Sequence, residues 1–352
     1  MVGTRKREID YLGKGRILFQ NLDGSLYKLL GNFIYYKATN GLRWEIKLFA
    51  PFYSFERILC KSRILSRLTR SEIRLFIKLD DNNIISATKR GVFYSKGKNN
   101  VLLPSKILGF NDNIGYPINI CFDEKKRIIW GEYIGNKERR EINVFVSYDL
   151  GETFEVVYKF KKGEIRHIHN IIYDPYSKNY WVFCGDFNNE SGIGLLDNDL
   201  KRFEWLLRGK QLYRCVAAFA LRDYILYATD TEYDNNYICL LDKSTLNVHK
   251  IIEIEGGALQ YNKCGGYYVF STAAEPKKGS FKNYHWKKAA IYILDEQLRG
   301  EKIIEGKKDY FHPKLFQYGT FILPKGQNNS NYLVFSGQAL KSLDGEIYGI
   351  NI

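Results

Sequence analysis

Two short runs carry the side chains best suited to chemistry. Arg166, His167 and His169 open RHIHNIIYD, and Tyr213 and Arg214 lie in QLYRCVAAFA. After a turn, each is followed by an apolar run ending in a carboxylate: WVFCGD at Asp186, and ILYATD at Asp230 with Glu232 close behind. A guanidinium fork matches a carboxylate, so Arg166 and Arg214 are candidate anchors for an acidic ligand. The competing expectation is that they pair with Asp186 and Asp230 inside the fold. His167 and His169 are two residues apart on a strand-like run, which aims both side chains the same way. They could move protons, hydrogen-bond a substrate, ligate a metal or serve structure alone; a metal needs a third ligand, and the sequence names none. Asp186 and Asp230 follow small residues at strand ends, which suits carboxylates presented at a rim, as an acid and base pair, as partners of sugar hydroxyls or as loop caps.

These residues can meet only if the surrounding elements bring strand starts and strand ends together. From Ile73 a grammar of short apolar runs and polar turns repeats. A second-strand run recurs as IISATK, IIWGEY, WVFCGD, ILYATD, YVFSTA and LVFSGQ, and a third-strand run follows each as GVFYS, NVFVS, IGLLD, ICLLD, IYILD and IYGIN. RILFQN and GSLYKLL form a seventh, partial copy nearer the amino terminus. Runs of this length bounded by Gly, Pro, Asn, Asp and Ser read as antiparallel strands. A four-stranded unit cannot bury both faces alone, whereas radial stacking can, so the expectation is an all-β chain of four-stranded antiparallel blades, a β-propeller. Seven blades fit best and six next. The last copy stops after its third strand, so an amino-terminal strand is expected to complete it.

In domain terms the expectation is a flexible basic tail over 1–15 and one propeller over 16–352. One stretch departs from the strand period: in FYSFERILCKSRILSRLTR (52–70), Phe55, Ile58, Leu59, Ser62, Leu65 and Leu68 recur at helical spacing. This reads as an amphipathic helical insertion that packs its apolar face on its own domain, the alternative being an anionic lipid surface or a partner.

In a propeller the first strand of each blade lines the channel, so first-strand starts and second-strand ends share one face. The starts offer Arg74, Tyr116, Arg166, His167, His169, Tyr213, Arg214, Gln260, His312 and Lys314. The ends offer Lys89, Glu132 or Tyr133, Asp186, Asp230 with Glu232, Glu275 and Gln338. Burying so many charges is costly unless they pair or meet a ligand. Asp186, Asp230, Glu132 and His169 are the candidate catalytic groups; Arg74, Arg166, His167, Tyr213, Arg214, Glu275, His312 and Lys314 are candidate substrate contacts. Glu275 opens a Lys-rich insertion, AEPKKGSFKNYHWKK (274–288), whose Tyr284, His285 and Trp286 suit a lid that stacks on sugar rings or an ordinary solvated loop.

Residues 147–154, Ser-Tyr-Asp-Leu-Gly-Glu-Thr-Phe, fit the Asp-box pattern S-x-D-x-G-x-T-W/F. The physics is a tight hairpin: Asp149 bonds turn amides, Gly151 takes a φ that other residues resist, Ser147 and Thr153 flank the turn, and Phe154 tucks under the sheet. On this motif, and on HIHNIIYDPYSKNYWVFCGD and QLYRCVAAFALRDYILYATD, the chain resembles the sialidase-like, BNR-repeat (Asp-box) glycosyl-hydrolase-like β-propellers over about residues 73–352. The Arg-Ile-Pro motif of sialidases does not occur; GYPINI at 115–120 lacks the arginine. The resemblance implies a carbohydrate-active protein acting on or recognising an acidic sugar in a surface glycan or polysaccharide, with Asp186 and Asp230 as a glycoside-hydrolysing pair. Its alternatives are a non-catalytic binding or scaffold propeller in polysaccharide assembly, or an acidic-polysaccharide lyase using His or Tyr as base.

The net charge of +14 predicts attraction to something anionic: an acidic glycan or glycan-lipid, or an anionic membrane surface touched peripherally. No nucleic-acid-binding signature accompanies it. No cofactor motif is read. The six cysteines form no CxxC, which suits a reducing compartment. No run approaches the ~18 apolar residues of a membrane span and no apolar run follows the charged start, so the expected setting is cytoplasmic, at most peripheral to the inner membrane face.

Overall fold

The computed structural model describes residues 8–80, 82–97, 101–110, 114–276 and 287–352. The chain divides into two compact units. A central unit comprises Glu72–Leu259 and Pro276–Tyr284, and a terminal unit comprises Met1–Ser71, Gln260–Glu275 and His285–Ile352.

Among the described residues the central unit is built from four antiparallel sheets, each a run of four consecutive strands. The first holds Leu75–Lys78, Ile84–Thr88, Gly91–Ser95 and Leu103–Pro104. The second holds Cys121–Phe122, Ile128–Gly131, Ile142–Ser147 and Thr153–Phe160, with the short Lys106–Ile107 added in parallel at its edge. The third holds Ile168–Tyr173, Tyr180–Cys184, Gly192–Leu196 and Phe203–Arg208. The fourth holds Cys215–Ala220, Tyr224–Thr229, Asn236–Asp242 and Val248–Ile254.

The second and third strands of these sheets are the runs that recur in the sequence. They are apolar on both faces because sheets pack on sheets. Leu75 and Ile85 of the first sheet meet Trp130, Phe145 and Phe154 of the second. Ile129, Val144 and Val146 of the second meet Ile171 and Val182 of the third. Trp181, Phe183 and Ile193 of the third meet Ile225 and Tyr227 of the fourth. Each such side chain, taken out of water, contributes about 1.5–3 kcal/mol. The expected hairpin at 147–154 joins the last two strands of the second sheet. Asp149 Oδ1 accepts from Thr153 N at 2.9 Å, its Oδ2 accepts from Thr153 Oγ1 at 2.7 Å, and Ser147 Oγ accepts from Gly151 N at 2.8 Å. Gly151 has φ +90°, and a Cβ there would lie 2.3 Å from Ile85 Cδ1.

In the terminal unit, Arg16–Gln20, Leu26–Leu30, Phe33–Lys37 and Glu45–Phe49 form one four-stranded sheet. Ala258–Cys264, of which Gln260 onward belongs to this unit, forms a second antiparallel set with Tyr267–Ala274, Lys288–Leu294 and Gly300–Lys307. Gly319–Ile322, Tyr332–Gln338 and Glu346–Asn351 form a third, joined to the second set by Ala273 pairing with Thr320. Its fourth strand is Ile9–Lys14, antiparallel to Glu346–Asn351, with Ile9 opposite Ile350. Residues 9–14 are therefore strand, not a loose tail: the carboxy-terminal strand has an open edge, and Ile9–Lys14 supplies its hydrogen bonds.

Residues 52–70 depart from the expected single helix. They form two short helices, Ser54–Leu59 and Arg63–Thr69, and the face turned inward is not the apolar one. Phe55, Ile58, Leu65 and Leu68 are exposed, while Glu56 and Arg67 are buried. The reason is polar. Arg67 Nη1 reaches Asp309 at 2.5 Å and Asp344 at 3.3 Å, and its Nε and Nη2 donate to the Phe316 carbonyl at 3.1 and 2.6 Å. His312 and Lys314 also differ from expectation: they are exposed and belong to the short helix Pro313–Phe316, with His312 as its amino-terminal cap, not to a strand start. Most of the 274–288 insertion, including Tyr284, His285 and Trp286, lies outside the described residues.

Candidate functional site

Within the central unit, the third and fourth sheets bring together the two pairs that their sequences place apart. In the third sheet Ile168 pairs with Cys184, and a register slip before Asn170 leaves His169 as an extra residue in a β-bulge. Gly185 then turns the chain with φ +126°, and a Cβ there would lie 2.4 Å from Ser191 Cα. That glycine lets Asp186 return beside Arg166 and the histidines. In the fourth sheet Cys215 pairs with Thr229, and Asp230 N donates to Arg214 O at 3.0 Å, which sets Asp230 next to Arg214. Gln211 Nε2 ties the two sheets by donating to the Asp186 carbonyl at 3.1 Å.

Asp186 is the centre of the cluster. Its Oδ2 accepts from Arg166 Nη1 at 2.7 Å. Its Oδ1 lies 3.4 Å from His167 Nε2, 3.3 Å from His169 Nε2 and 3.3 Å from Arg214 Nη2. The same Arg214 nitrogen is 3.5 Å from Asp230 and 3.8 Å from Glu232. The two imidazoles face each other with Nε2 atoms 3.0 Å apart, and His167 Nδ1 sits 2.9 Å from the Ile134 carbonyl. A carbonyl only accepts, so Nδ1 is the protonated nitrogen of His167 and Nε2 carries a lone pair. Both histidines are buried, and the ring of Tyr133 covers His167 at a centroid distance of 4.2 Å. The Tyr116 ring packs tilted against Tyr133 at 5.7 Å and Arg74 lies over Tyr116 at 4.3 Å, which extends the site as a cation and aromatic row.

The surroundings push the two carboxylates in opposite directions. Burial would raise the Asp186 carboxyl, but its close contacts with the histidine ring nitrogens and the Arg214 charge outweigh it and hold it well below the usual range. Asp230 is pushed up to about 7, by burial first and then by the nearby charges of Asp186 and Glu232, against the pull of Arg214. Burial lowers His169 to about 4, so its ring is neutral at neutral pH and the arginines carry the charge that keeps Asp186 ionised.

Other expected residues fall elsewhere. Glu132 is wholly buried, and its carboxylate binds Arg140 at 2.5 Å, Gly115 N at 2.9 Å and Asn143 Nδ2 at 2.8 Å. It holds neighbouring chain in place, and its sequence neighbour Tyr133 is the residue that reaches the histidines. Tyr213 packs in the apolar cluster of Trp181 and Phe183 instead of facing the carboxylates. Glu275, His312 and Lys314 belong to the terminal unit. The bridging Gln211 and the Ile134 carbonyl had no signal in the sequence, since neither a lone glutamine nor a backbone oxygen stands out by type.

No family model matches the chain, and no curated protein matches it in sequence. Solved structures do match in fold. An extracellular domain from B. thetaiotaomicron is 12% identical with a TM-score of 0.56, covering 98% of this chain and 42% of that one. A chain of the mitotic checkpoint complex is 8% identical with a TM-score of 0.57, covering 99% and 94%. An ancestral GH74 enzyme is 13% identical with a TM-score of 0.53, covering 97% and 46%. The chain thus spans less than half the length of the first and third of these. At such identities the likeness bears on the fold alone: a mostly-β chain of four-stranded antiparallel sheets, propeller-like in class. No helix among the described residues is long and apolar enough to cross a membrane.

Proposed function

We propose that this chain is a single seven-bladed propeller, over about residues 9–352, that acts on an acidic sugar in a glycan or polysaccharide. The observation that carries the reading is the split pair on Arg214: Asp186 stays ionised while Asp230, pushed up to about 7, keeps a proton available near neutrality. Carboxylates driven apart in this way are how one site holds both an acid and its ionised partner at the same pH. In this reading Asp230 protonates the leaving oxygen and Asp186 stabilises the charge that develops. Arg166, with a quarter of its side chain exposed, faces the sugar carboxylate. The GH74 enzyme among the structural matches agrees with a carbohydrate role for such a fold.

A specific observation favours a second reading, a non-catalytic binding or scaffold propeller in polysaccharide assembly. Arg214 is shared among three acids and Arg166 is bonded to one, so ion pairs within the fold absorb much of the charge.

The test is binding and turnover across a panel of acidic glycans, with Arg166→Ala, Arg214→Ala, Asp186→Asn and Asp230→Asn beside the wild type. Binding lost in the arginine variants places the acidic sugar here, and turnover lost in the aspartate variants makes the protein an enzyme. Binding without turnover selects the scaffold reading. If no glycan on the panel binds, the acidic-sugar reading fails.

A further inference from the structure

We propose that His167 Nε2, His169 Nε2 and Asp186 Oδ1 form a binding site for one divalent transition-metal ion. The three atoms make a compact triangle with sides of 3.0, 3.4 and 3.3 Å. Ligand atoms about 2.0–2.2 Å from a tetrahedral ion lie roughly 3.4 Å from each other, so an ion fits the triangle with little movement of the side chains. Hydrogen bonding accounts for only part of it. His167 Nε2 is a lone pair, because Nδ1–H is directed at the Ile134 carbonyl at 2.9 Å. One proton on His169 Nε2 then has two acceptors to serve, at 3.0 and 3.3 Å, and cannot align well with both.

The outer contacts of His167 and Asp186 are those of a ligand set, while His169 Nδ1 is buried with no hydrogen-bond partner among the described residues. An N–H bonded to a backbone carbonyl is the usual second partner of a metal-binding imidazole, and it fixes the tautomer that His167 needs. The other oxygen of Asp186 is oriented by Arg166 at 2.7 Å. Tyr133 roofs His167 at 4.2 Å and keeps that side dry. Arg214 lies 3.3 Å from the same Asp186 oxygen and opposes a cation, while the same guanidinium nitrogen also faces Glu232 at 3.8 Å.

Two imidazoles and one carboxylate favour Zn²⁺, Co²⁺, Mn²⁺ or Fe²⁺ over Mg²⁺ and Ca²⁺, which prefer all-oxygen shells. Three protein ligands, where a closed structural site would have four, leave a position for water or an exogenous ligand. The inference does not rest on the sugar reading, since the triangle and its outer contacts carry it without any glycan.

The experiment uses tag-free full-length protein, stripped with a chelator and titrated with Co²⁺ and Zn²⁺ in the absence of any glycan. Calorimetry gives stoichiometry and affinity, and the visible bands of Co²⁺ report nitrogen ligation. One equivalent should bind at micromolar or tighter affinity. His167→Gln and His169→Gln should each weaken it by about two orders of magnitude or more, because outer-shell partners alone are worth about 10–100-fold. His249→Gln, at an exposed histidine on another strand, should leave it unchanged. Uptake of no ion by wild type at millimolar concentration overturns the proposal whatever the variants do. Binding that survives both histidine changes overturns it as well. Because no glycan is present, failure here leaves the sugar reading standing, and the reverse.

Discussion

Two buried arginines show what separates a structural ion pair from a candidate site. Arg67, in the terminal unit, is 2% exposed and every arm of its fork has a close partner: the Phe316 carbonyl twice, Asp309, and Asp344. Of its two acids, Asp344 is held below the usual carboxylate range by Arg63 and Arg67 against the effect of burial. Arg214, in the central unit, is about as buried but is stretched over Asp186, Asp230 and Glu232 at 3.3, 3.5 and 3.8 Å. Arg166 pairs with Asp186 as well, so two guanidiniums face three acids, and burial first and then the charges of Asp186 and Glu232 push Asp230 up to about 7. Matched charge makes a strut, and mismatched charge leaves a titratable group poised near neutrality.

The largest expected effect tests the strut. Arg67→Met leaves the half-buried Asp309 and Asp344 without their shared cation and the Phe316 carbonyl without its two donors, and should destabilise the protein by about 3–5 kcal/mol in denaturant unfolding. Arg214→Met should cost clearly less at pH 6 than at pH 8, because Asp230 can answer the loss by staying protonated. Equal and pH-independent costs for the two would dissolve the distinction. A neutral control comes next: Asp149→Ala removes the acceptor for Thr153 N and Oγ1 and should cost about 1–3 kcal/mol with little pH dependence above pH 5.

The pH profile sharpens the comparison further. Asp230 has its folded value raised from 3.8 to about 7, so its contribution is fully present below pH 3.8 and is lost as pH rises towards 7. His169 has its folded value lowered from 6.5 to about 4, so its contribution is present above pH 6.5 and is lost as pH falls towards 4. In chelator-treated wild type the two slopes oppose each other across about pH 4–6.5 and should nearly cancel. Asp230→Asn should then make stability rise with pH in that window, and His169→Gln should make it fall, each by up to ~1.4 kcal/mol per pH unit. Identical profiles in all three proteins would mean that neither group is perturbed as described. The smallest effect belongs to the exposed side of the helical pair: Ile58→Ser should change stability by no more than about 0.5 kcal/mol, and a larger loss would show that this face is covered in solution.

Much of the local architecture was legible. The second- and third-strand runs, the turn at 147–154 and the placing of Arg166, Arg214, Asp186 and Asp230 at strand ends follow from residue type and period. The helical stretch was legible only in part. Its apolar period was real, but periodicity reports which side chains share a face and not which face has partners. Asp309, Asp344 and the Phe316 carbonyl lie some 240–280 residues away in sequence, and they draw Arg67 inward while Phe55, Ile58 and Leu68 stay in water. Glu132 shows the same limit: a carboxylate at a strand end reads as a site residue until Arg140 and Asn143 are seen to occupy it.

What the sequence determined by itself is what neighbouring residues settle between themselves: strand period, turn chemistry, and the pairing of His167 and His169 on one strand start. Tertiary structure decided the rest, because it depends on distance and burial. It chose Asp186 as the third corner of the histidine triangle, 17 residues from His169 in the chain and 3.3 Å away in space. It also set three acids on one guanidinium, and so decided which of two similar aspartates keeps its proton.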